Sequence, residues 1–502
     1  MNSIVEFFPE DDRHRCGYCK SEDGSVTNGM WAHSLSVRNY QDLLDRGWRR
    51  SGKYCYKPIM RNTCCPLYTI KCDAVNFNLT KSQKKILRRV TKFLREGTAP
   101  TSECGDRDSS SGYLSERKML KRASGKCSSN VRGVNSYRDD TISDLTSTVT
   151  TSGDAFTSRT HHSSGVVTES KAEISDKSEK TVTVDSKTRS GLGRDPSKPQ
   201  CRKAKLVRQE KKMKKLEDQG DSVLSVLTST TNSSDSQGKT LEDFIMESAE
   251  GDLKNTLILR LVPAESTPDM LNKSWQLYVK YQMAVHKEKE DECSFSSFKQ
   301  FLVDSPLQSY RDGTTPSCGF GSFHHQYWLN GVLIAVGVID ILPECVSSVY
   351  FFYDPAYSYL SLGTYGALRE IELVRALSKQ CSAVSNYYMG YYIDTCPKMR
   401  YKGRFRPSYL LCPEEYTWHP LEECLEKIKK EKYSRFNNLD PEGIPGNVNA
   451  EKVVILWRRQ VMEYKQYDHR TRPSLQEKND IQKYANLIGE DCCKRILLYK
   501  HT

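Results

Sequence analysis

Two pairs of cysteines carry the clearest chemistry in this sequence. Cys16-Gly17-Tyr18-Cys19 is a C-x-x-C knuckle, whose glycine lets the backbone turn so that two thiolates face one cation. Cys64-Cys65 follows farther along, just ahead of Pro66. Four thiolates are soft ligands and suit either tetrahedral zinc or an iron–sulfur cluster; spacing alone does not separate the two. Because the second pair is vicinal and not another C-x-x-C, Cys55, Cys72 and His33 stand as alternative ligands for either of its members. The competing reading is a set of buried, reduced cysteines acting as small hydrophobes. A thioredoxin-type redox role is poorer, since no βαβ pattern surrounds the motif. No Ser-His-Asp or Cys-His pattern marks a covalent nucleophile.

Length and composition limit the elements that can hold such groups. At 502 residues the chain exceeds one ordinary core, so two or more domains are expected. A net charge of +12 favours a polyanionic partner, though only weakly. No long uncharged apolar run occurs and the acidic start lacks a basic n-region, so neither a membrane span nor a secretory signal is expected. Eighteen cysteines in such a chain point to thiols and metal ligands and not to a disulfide frame, which places the protein in the cytoplasm and nucleus. Residues 1–100 read as a cysteine-rich metal-binding domain, closed by an amphipathic helix with Ile86, Val90, Phe93 and Leu94 on its apolar face. Residues 101–240 collapse into Ser, Thr, Asp, Gly and Lys and cannot bury enough surface to repay ordering, so they read as a disordered linker. Inside it a basic island at 201–216 is either a solvated charge run or a patch for RNA phosphates or nuclear import. Residues 241–430 form the second domain, and 431–502 an extension with a helix at Ile481 to Tyr499.

The second domain is organised around 316–402. Two strand-like runs meet at Asn330-Gly331, a type I′ turn signal, and a third, Val346 to Tyr353, ends at Asp354-Pro355. The stretch from Leu362 to Lys379 switches to helical period, and Asn386 to Ile393 returns to strand. That order predicts an α+β chain in which a mixed sheet with a crossover helix follows the cysteine-rich unit.

These residues also carry a family likeness. The knuckle, Asn28-Gly-Met-Trp-Ala-His33, Arg46-Gly-Trp-Arg-Arg-Ser-Gly-Lys-Tyr54 and Thr63-Cys-Cys-Pro66 resemble the N-terminal domain of eukaryotic arginyl-tRNA–protein transferases. Gly321-Ser-Phe-His324, Ser347-Ser-Val-Tyr350, Tyr353-Asp-Pro355, Tyr387-Tyr-Met-Gly390 and Cys396-Pro-Lys-Met-Arg-Tyr-Lys402 resemble the second half of the same family. His325 and Asp394 depart from its pattern, so neither is expected to be a chemical requirement. The resemblance implies transfer of arginine from arginyl-tRNA to the α-amine of proteins beginning with Asp, Glu or oxidised Cys, creating an N-degron read by the ubiquitin system. It implies a GNAT-like (acetyltransferase-type) second domain, and Cys16, Cys19, Cys64 and Cys65 as the metal ligands, holding zinc or an iron–sulfur cluster.

The chemistry then divides into positioning tasks. The donor is an activated ester, so what is needed is a neutral amine, two ends held together and a donor for the oxyanion. An acidic first residue asks for cations, for which Arg369, Lys398, Arg400, Lys402 and Arg404 are candidates. The arginyl guanidinium asks for a carboxylate, with Asp354 and Glu370 preferred and Glu372 read as surface. The RNA end asks for stacking and phosphate contacts, which Tyr387, Tyr388, Tyr391, Tyr392 and Tyr401 beside those cations would suit, with about half of the strand tyrosines in the core. Gly363-x-x-Gly366 opens the crossover helix, and Gly363 and Tyr365 are candidates there for the RNA end or the oxyanion. His324 and Gln326 are further candidates on the first hairpin strand. Arginyl-tRNA and proteins with acidic N-termini are the expected partners, with no membrane and a monomeric chain. Fold alone would also admit an acetyl-CoA-dependent N-acetyltransferase, and the knuckle with the basic island an RNA- or degron-binding adaptor.

Overall fold

The computed structural model describes residues 2–9, 13–97, 239–437 and 448–501. The expected linker, except for its last two residues, and its basic island lie outside them. The first hundred residues supply strands β1 (Ser3–Phe8), β2 (Thr27–Ser36), β3 (Arg49–Ser51), β4 (Tyr54–Pro58) and β5 (Tyr68–Asp73), with helices α1 (Val37–Leu44) and α2 (Lys81–Glu96). α2 starts at a reciprocal Thr80–Gln83 capping box and stops at Gly97, whose φ of 72° a glycine adopts without strain. It buries Ile86, Val90, Phe93 and Leu94, the face its spacing predicts.

After α3 (Leu241–Ala249) come β6 (Leu257–Pro263), α4 (Pro268–Tyr281), the two-residue β7 (Leu307–Gln308), β8 (Gly321–Leu329) and β9 (Val332–Ile341). Asn330 and Gly331 both take positive φ, 49° and 80°, and reverse the chain between β8 and β9 as their residue types predict. β10 (Cys345–Tyr353), the crossover helix α5 (Leu362–Ser378) and β11 (Asn386–Tyr392) follow, then β12 (Ser408–Leu411), β13 (Trp418–Pro420) and α6 (Leu421–Lys430). The central sheet has the order β13-β12-β5-β11-β10-β9-β8-β6, and only β10 and β11 are parallel neighbours, as a helical crossover requires. A mixed sheet with its crossover helix is thus present, compatible with an acetyltransferase-like arrangement.

β5, made by the first hundred residues, lies inside this sheet between β11 and β12. A second sheet is shared in the same way, since β16 (Ile496–Lys500) pairs in parallel with β1 and carries β14 (Val454–Trp457) and β15 (Gln460–Glu463) at its edge. The expected single helix at 481–499 is therefore shorter: α8 (Leu475–Ile488), which follows α7 (Tyr464–Thr471), ends at Gly489, where φ is 84°. The apolar run Ile496-Leu-Leu498 then extends as strand, because it finds β1 and β14 on either side. The two sheets are fastened by a buried ion pair, in which Arg50 of β3 donates to both oxygens of Asp340 on β9 at 2.8 and 2.6 Å and Ser322 donates to the same carboxylate at 2.7 Å. None of the described helices is long and apolar enough to cross a membrane.

Candidate active site and thiol cluster

β10 and β11 pair at three register positions only, Cys345 with Asn386, Val346 with Tyr387 and Ser347 with Tyr388. β10 continues to Tyr353 and β11 to Tyr392 without further pairing, and α5 packs across the opening. The result is a narrow cleft, with about 10 Å³ of open room, whose walls include Ser348, Gly363, Glu370, Tyr387, Tyr401 and Lys402.

Glu370 is the focus of this cleft. It is 1% exposed, and it fits because Gly337 on β9 has no side chain: a Cβ there would lie 2.5 Å from Glu370 Oε1. The Tyr387 hydroxyl donates to Oε2, Ser348 also hydrogen-bonds the carboxyl, and Oε1 is left without a partner. Burial pushes its pKa up to about 7, against the pull of the two hydroxyls. Near neutrality such a group is divided between acid and carboxylate, the condition for moving protons in either direction. Lys402, also on the cleft wall, is buried and donates to the Tyr391 carbonyl at 2.8 Å. The Gly-x-x-Gly pair divides its work: Gly363 lines the cleft, whereas Gly366 makes room for Phe351, whose ring a Cβ would overlap.

Of the residues expected at a site, the structure brings Gly363, Glu370, Tyr387, Tyr401 and Lys402 together and holds others elsewhere. Asp354 caps the turn Pro355–Leu360 by accepting from Ala356 N at 2.9 Å and pairs with Lys280 at 2.6 Å. Tyr365 is buried and accepts from Arg369, whose guanidinium also pairs with Glu372 at 2.8 Å. Arg400 and Arg404 are exposed and Lys398 half-buried on the short helical turns at Pro397–Arg404. The strand of His324 and Gln326 is no edge, because β6 covers it; both side chains are fully buried. His324 Nε2 lies 2.9 Å from the Leu302 carbonyl, and burial drives its pKa down to about 4. Tyr387, Tyr388, Tyr391 and Tyr392 are all buried, so none offers a ring face to a base. Their hydroxyls are engaged too, Tyr388 with Asp45, Tyr391 with the Gly47 carbonyl and Tyr392 with Asp394.

The four cysteine sulfurs at 16, 19, 64 and 65 lie within 4.8 Å of one another. The knuckle is closed by Cys16 N to Ser21 O at 2.7 Å and docked to the second pair by Cys64 N to Gly24 O at 2.9 Å. Gly24 is required at that contact, as a Cβ would overlap Cys64 Sγ. A hydrogen bond from Cys65 draws the Cys16 thiol down to about 4, while burial pushes Cys64 up to about 12. Such a cluster readily gives up a first proton, and Cys64 resists losing its own unless a cation compensates. A metal–sulfur bond of about 2.3 Å puts tetrahedral sulfurs about 3.8 Å apart, so the four fit one ion. Cys55 and Cys72 sit instead in the main core, and His33 faces Glu6 at 3.7 Å, which removes them as alternative ligands. The cluster packs against Tyr391, Ile393 and Met399 and so supports the segment that carries Lys402.

Residues 14–85 match the family described as arginine-tRNA-protein transferase, N terminus, and 273–412 the family described as arginine-tRNA-protein transferase, C terminus. The chain is 39% identical to arginyl-tRNA–protein transferase 1 of Drosophila melanogaster, covering 99% of each. It is 34% identical to arginyl-tRNA–protein transferase 2 of Arabidopsis thaliana, over 85% of this chain and 77% of that one. A shorter likeness, 31% identity over 29% of this chain and 55% of the other, links it to an aspartate/glutamate leucyltransferase of Campylobacter jejuni.

Proposed function

We propose that this chain, which belongs to the arginine-tRNA-protein transferase family and is an aminoacyltransferase, moves arginine from arginyl-tRNA to the α-amine of proteins that begin with Asp, Glu or oxidised Cys, marking them for ubiquitin-dependent degradation. The observation that carries the reading is the parting of β10 and β11 around a buried carboxyl that titrates near neutrality. An α-amine with a pKa of about 8 is mostly protonated in the cell, so an acceptor for its proton aids attack on the ester. Glu370, on the cleft wall and with Oε1 unpaired, takes that proton. The Lys402 ammonium on the cleft wall supplies positive charge where the ester oxygen becomes an oxyanion. Arg400 and Arg404, exposed beside it, hold phosphates of the RNA end. Cys16, Cys19, Cys64 and Cys65 hold zinc or an iron–sulfur cluster, whose contribution is to tie the knuckle to the loop supporting the cleft. The fifteen described cysteines, all of them free thiols, support a cytoplasmic and nuclear setting. The acidic acceptor is supported by the likeness to the Campylobacter aspartate/glutamate leucyltransferase.

The test mixes the protein with charged arginyl-tRNA and a peptide beginning with Asp. A mass gain of one arginine on that peptide, absent from one beginning with Asn, is the expected result. An acetyl gain from acetyl-CoA, or binding of both substrates with no product, overturns it.

A further inference from the structure

A larger recess, of about 280 Å³, opens between β4, the start of β5 and the loop from Leu411 to Tyr416, and none of the groups assigned above lines it. Asn28 and Lys57 are register partners across β2 and β4, so their side chains share one face, and both line this recess. Lys57 is 9% exposed; its ammonium donates to the Tyr416 hydroxyl at 2.7 Å and lies 4.3 Å from that ring's centre. The Arg46 guanidinium lies 4.4 Å from the same ring, and its Nε has no partner. Among the described residues, neither cation pairs with a carboxylate. Tyr416 is held at φ 60°, a left-handed backbone that residues other than glycine rarely adopt.

Two cations gathered over one phenol, with no acid between them, are costly to leave buried. Burial and Arg46 push the Lys57 pKa down, and the two cations pull the Tyr416 phenol down, so the recess relieves its charge only in part. The one counter-feature is the Asn28 side-chain oxygen, buried and without a donor. What completes the set is an anion that carries an N–H donor close beside it. A phosphate supplies the oxygens but no neighbouring N–H. A peptide beginning with Asp or Glu supplies both, its side-chain carboxylate and the amide of its second residue. Leu411 and Leu487 add apolar wall beside the cations, which lowers the local polarity. Thr69 on the recess wall is the register partner of Tyr391, whose hydroxyl donates to the carbonyl of Gly47 on the same wall.

We propose that this recess reads the acidic side chain of the acceptor's first residue, with Lys57 and Arg46 taking the carboxylate and Asn28 the neighbouring amide N–H. The inference rests on the acceptor reading given above and places its specificity on the cysteine-rich half. With full-length protein, Lys57→Gln raises KM for a peptide beginning with Asp by roughly tenfold or more. The same variant leaves kcat at saturating peptide and the affinity for arginyl-tRNA within about twofold. Tyr416→Phe, which keeps the ring and removes the hydroxyl, raises KM in the same direction and guards against misfolding of the first variant. In wild-type protein, carbodiimide couples the side-chain carboxylate of the peptide's first residue to the Lys57 amine, an adduct located by mass spectrometry and lost when the peptide begins with Asn. An unmoved KM together with no adduct overturns the assignment, as does a loss of tRNA affinity in Lys57→Gln, which would make the recess a phosphate site. If wild-type protein adds no arginine to the Asp peptide at all, the acceptor reading itself falls.

Discussion

The thiol cluster and the cleft rest against the same stretch of chain, the end of β11 and the turn after it, yet folding leaves them in opposite conditions. The four sulfurs lie within 4.8 Å of one another, a set of soft ligands that could hold one metal ion. In the cleft nearly every polar atom has a protein partner, and one oxygen of Glu370 stands apart. The first site is defined by like ligands drawn together, the second by the one group that burial has detuned. Chemistry is to be sought where pairing stops, and the four buried tyrosines of β11, fully engaged, are packing in spite of their promising sequence.

The contrast breaks most sharply at the cysteines. Cys64→Ala should abolish bound metal and loosen the first unit, because structural metal binding contributes on the order of 10 kcal/mol in small domains; metal content and thermal unfolding of the purified protein are the readouts, and full metal occupancy would contradict the ligand set. Next in size is Asp340→Ala, which leaves Arg50 buried without its carboxylate and should cost about 3–5 kcal/mol in denaturant unfolding although it touches neither site. Glu370→Gln sharpens the comparison through pH. The folded pKa of about 7 stands above the ordinary 4.5, so the folded chain binds more protons than the unfolded chain between those values. Stability is therefore lost as pH rises from about 4.5 through about 7, by up to about 3 kcal/mol. The Gln variant should lack that slope in urea midpoints and transfer arginine about a hundredfold more slowly; an unchanged rate would remove Glu370 from the chemistry. The smallest effect belongs to Arg400→Gln and Arg404→Gln. Both should stay within about 0.5 kcal/mol of wild type in stability, while each lowers the salt dependence of tRNA binding by about one in the log–log slope.

Much of the frame can be read from residue types. Asn330-Gly331, the switch from alternation to helical period at Leu362 and the Thr80–Gln83 cap all announce themselves locally, and the structure follows each. The knuckle is legible because C-x-x-C is a local pattern with a physical reason. The strand at Ile496 is not, because its pairing with β1 depends on a partner at the far end of the chain. Asp354 reads as free in sequence since nothing there shows Lys280 arriving from α4. Lys57, Arg46 and Tyr416 escape for the same reason: each is ordinary in its own segment, and only the fold stacks them. A lysine in the middle of an aromatic strand, Tyr54-Cys-Tyr-Lys57, is the one available hint.

The placement of β5 has a consequence for how the molecule comes into being. Its register partner Asn386 is synthesised more than three hundred residues after Asp73, so the ribosome delivers this strand long before the sheet that will receive it. Until then its six residues have no ladder, and a piece made from the later half alone would present the open rims of β11 and β12 to any passing chain. Completion of the central sheet is thus a late closure, slow as such distant pairings are, and the later half cannot be built whole by trimming away the half that carries the cysteines.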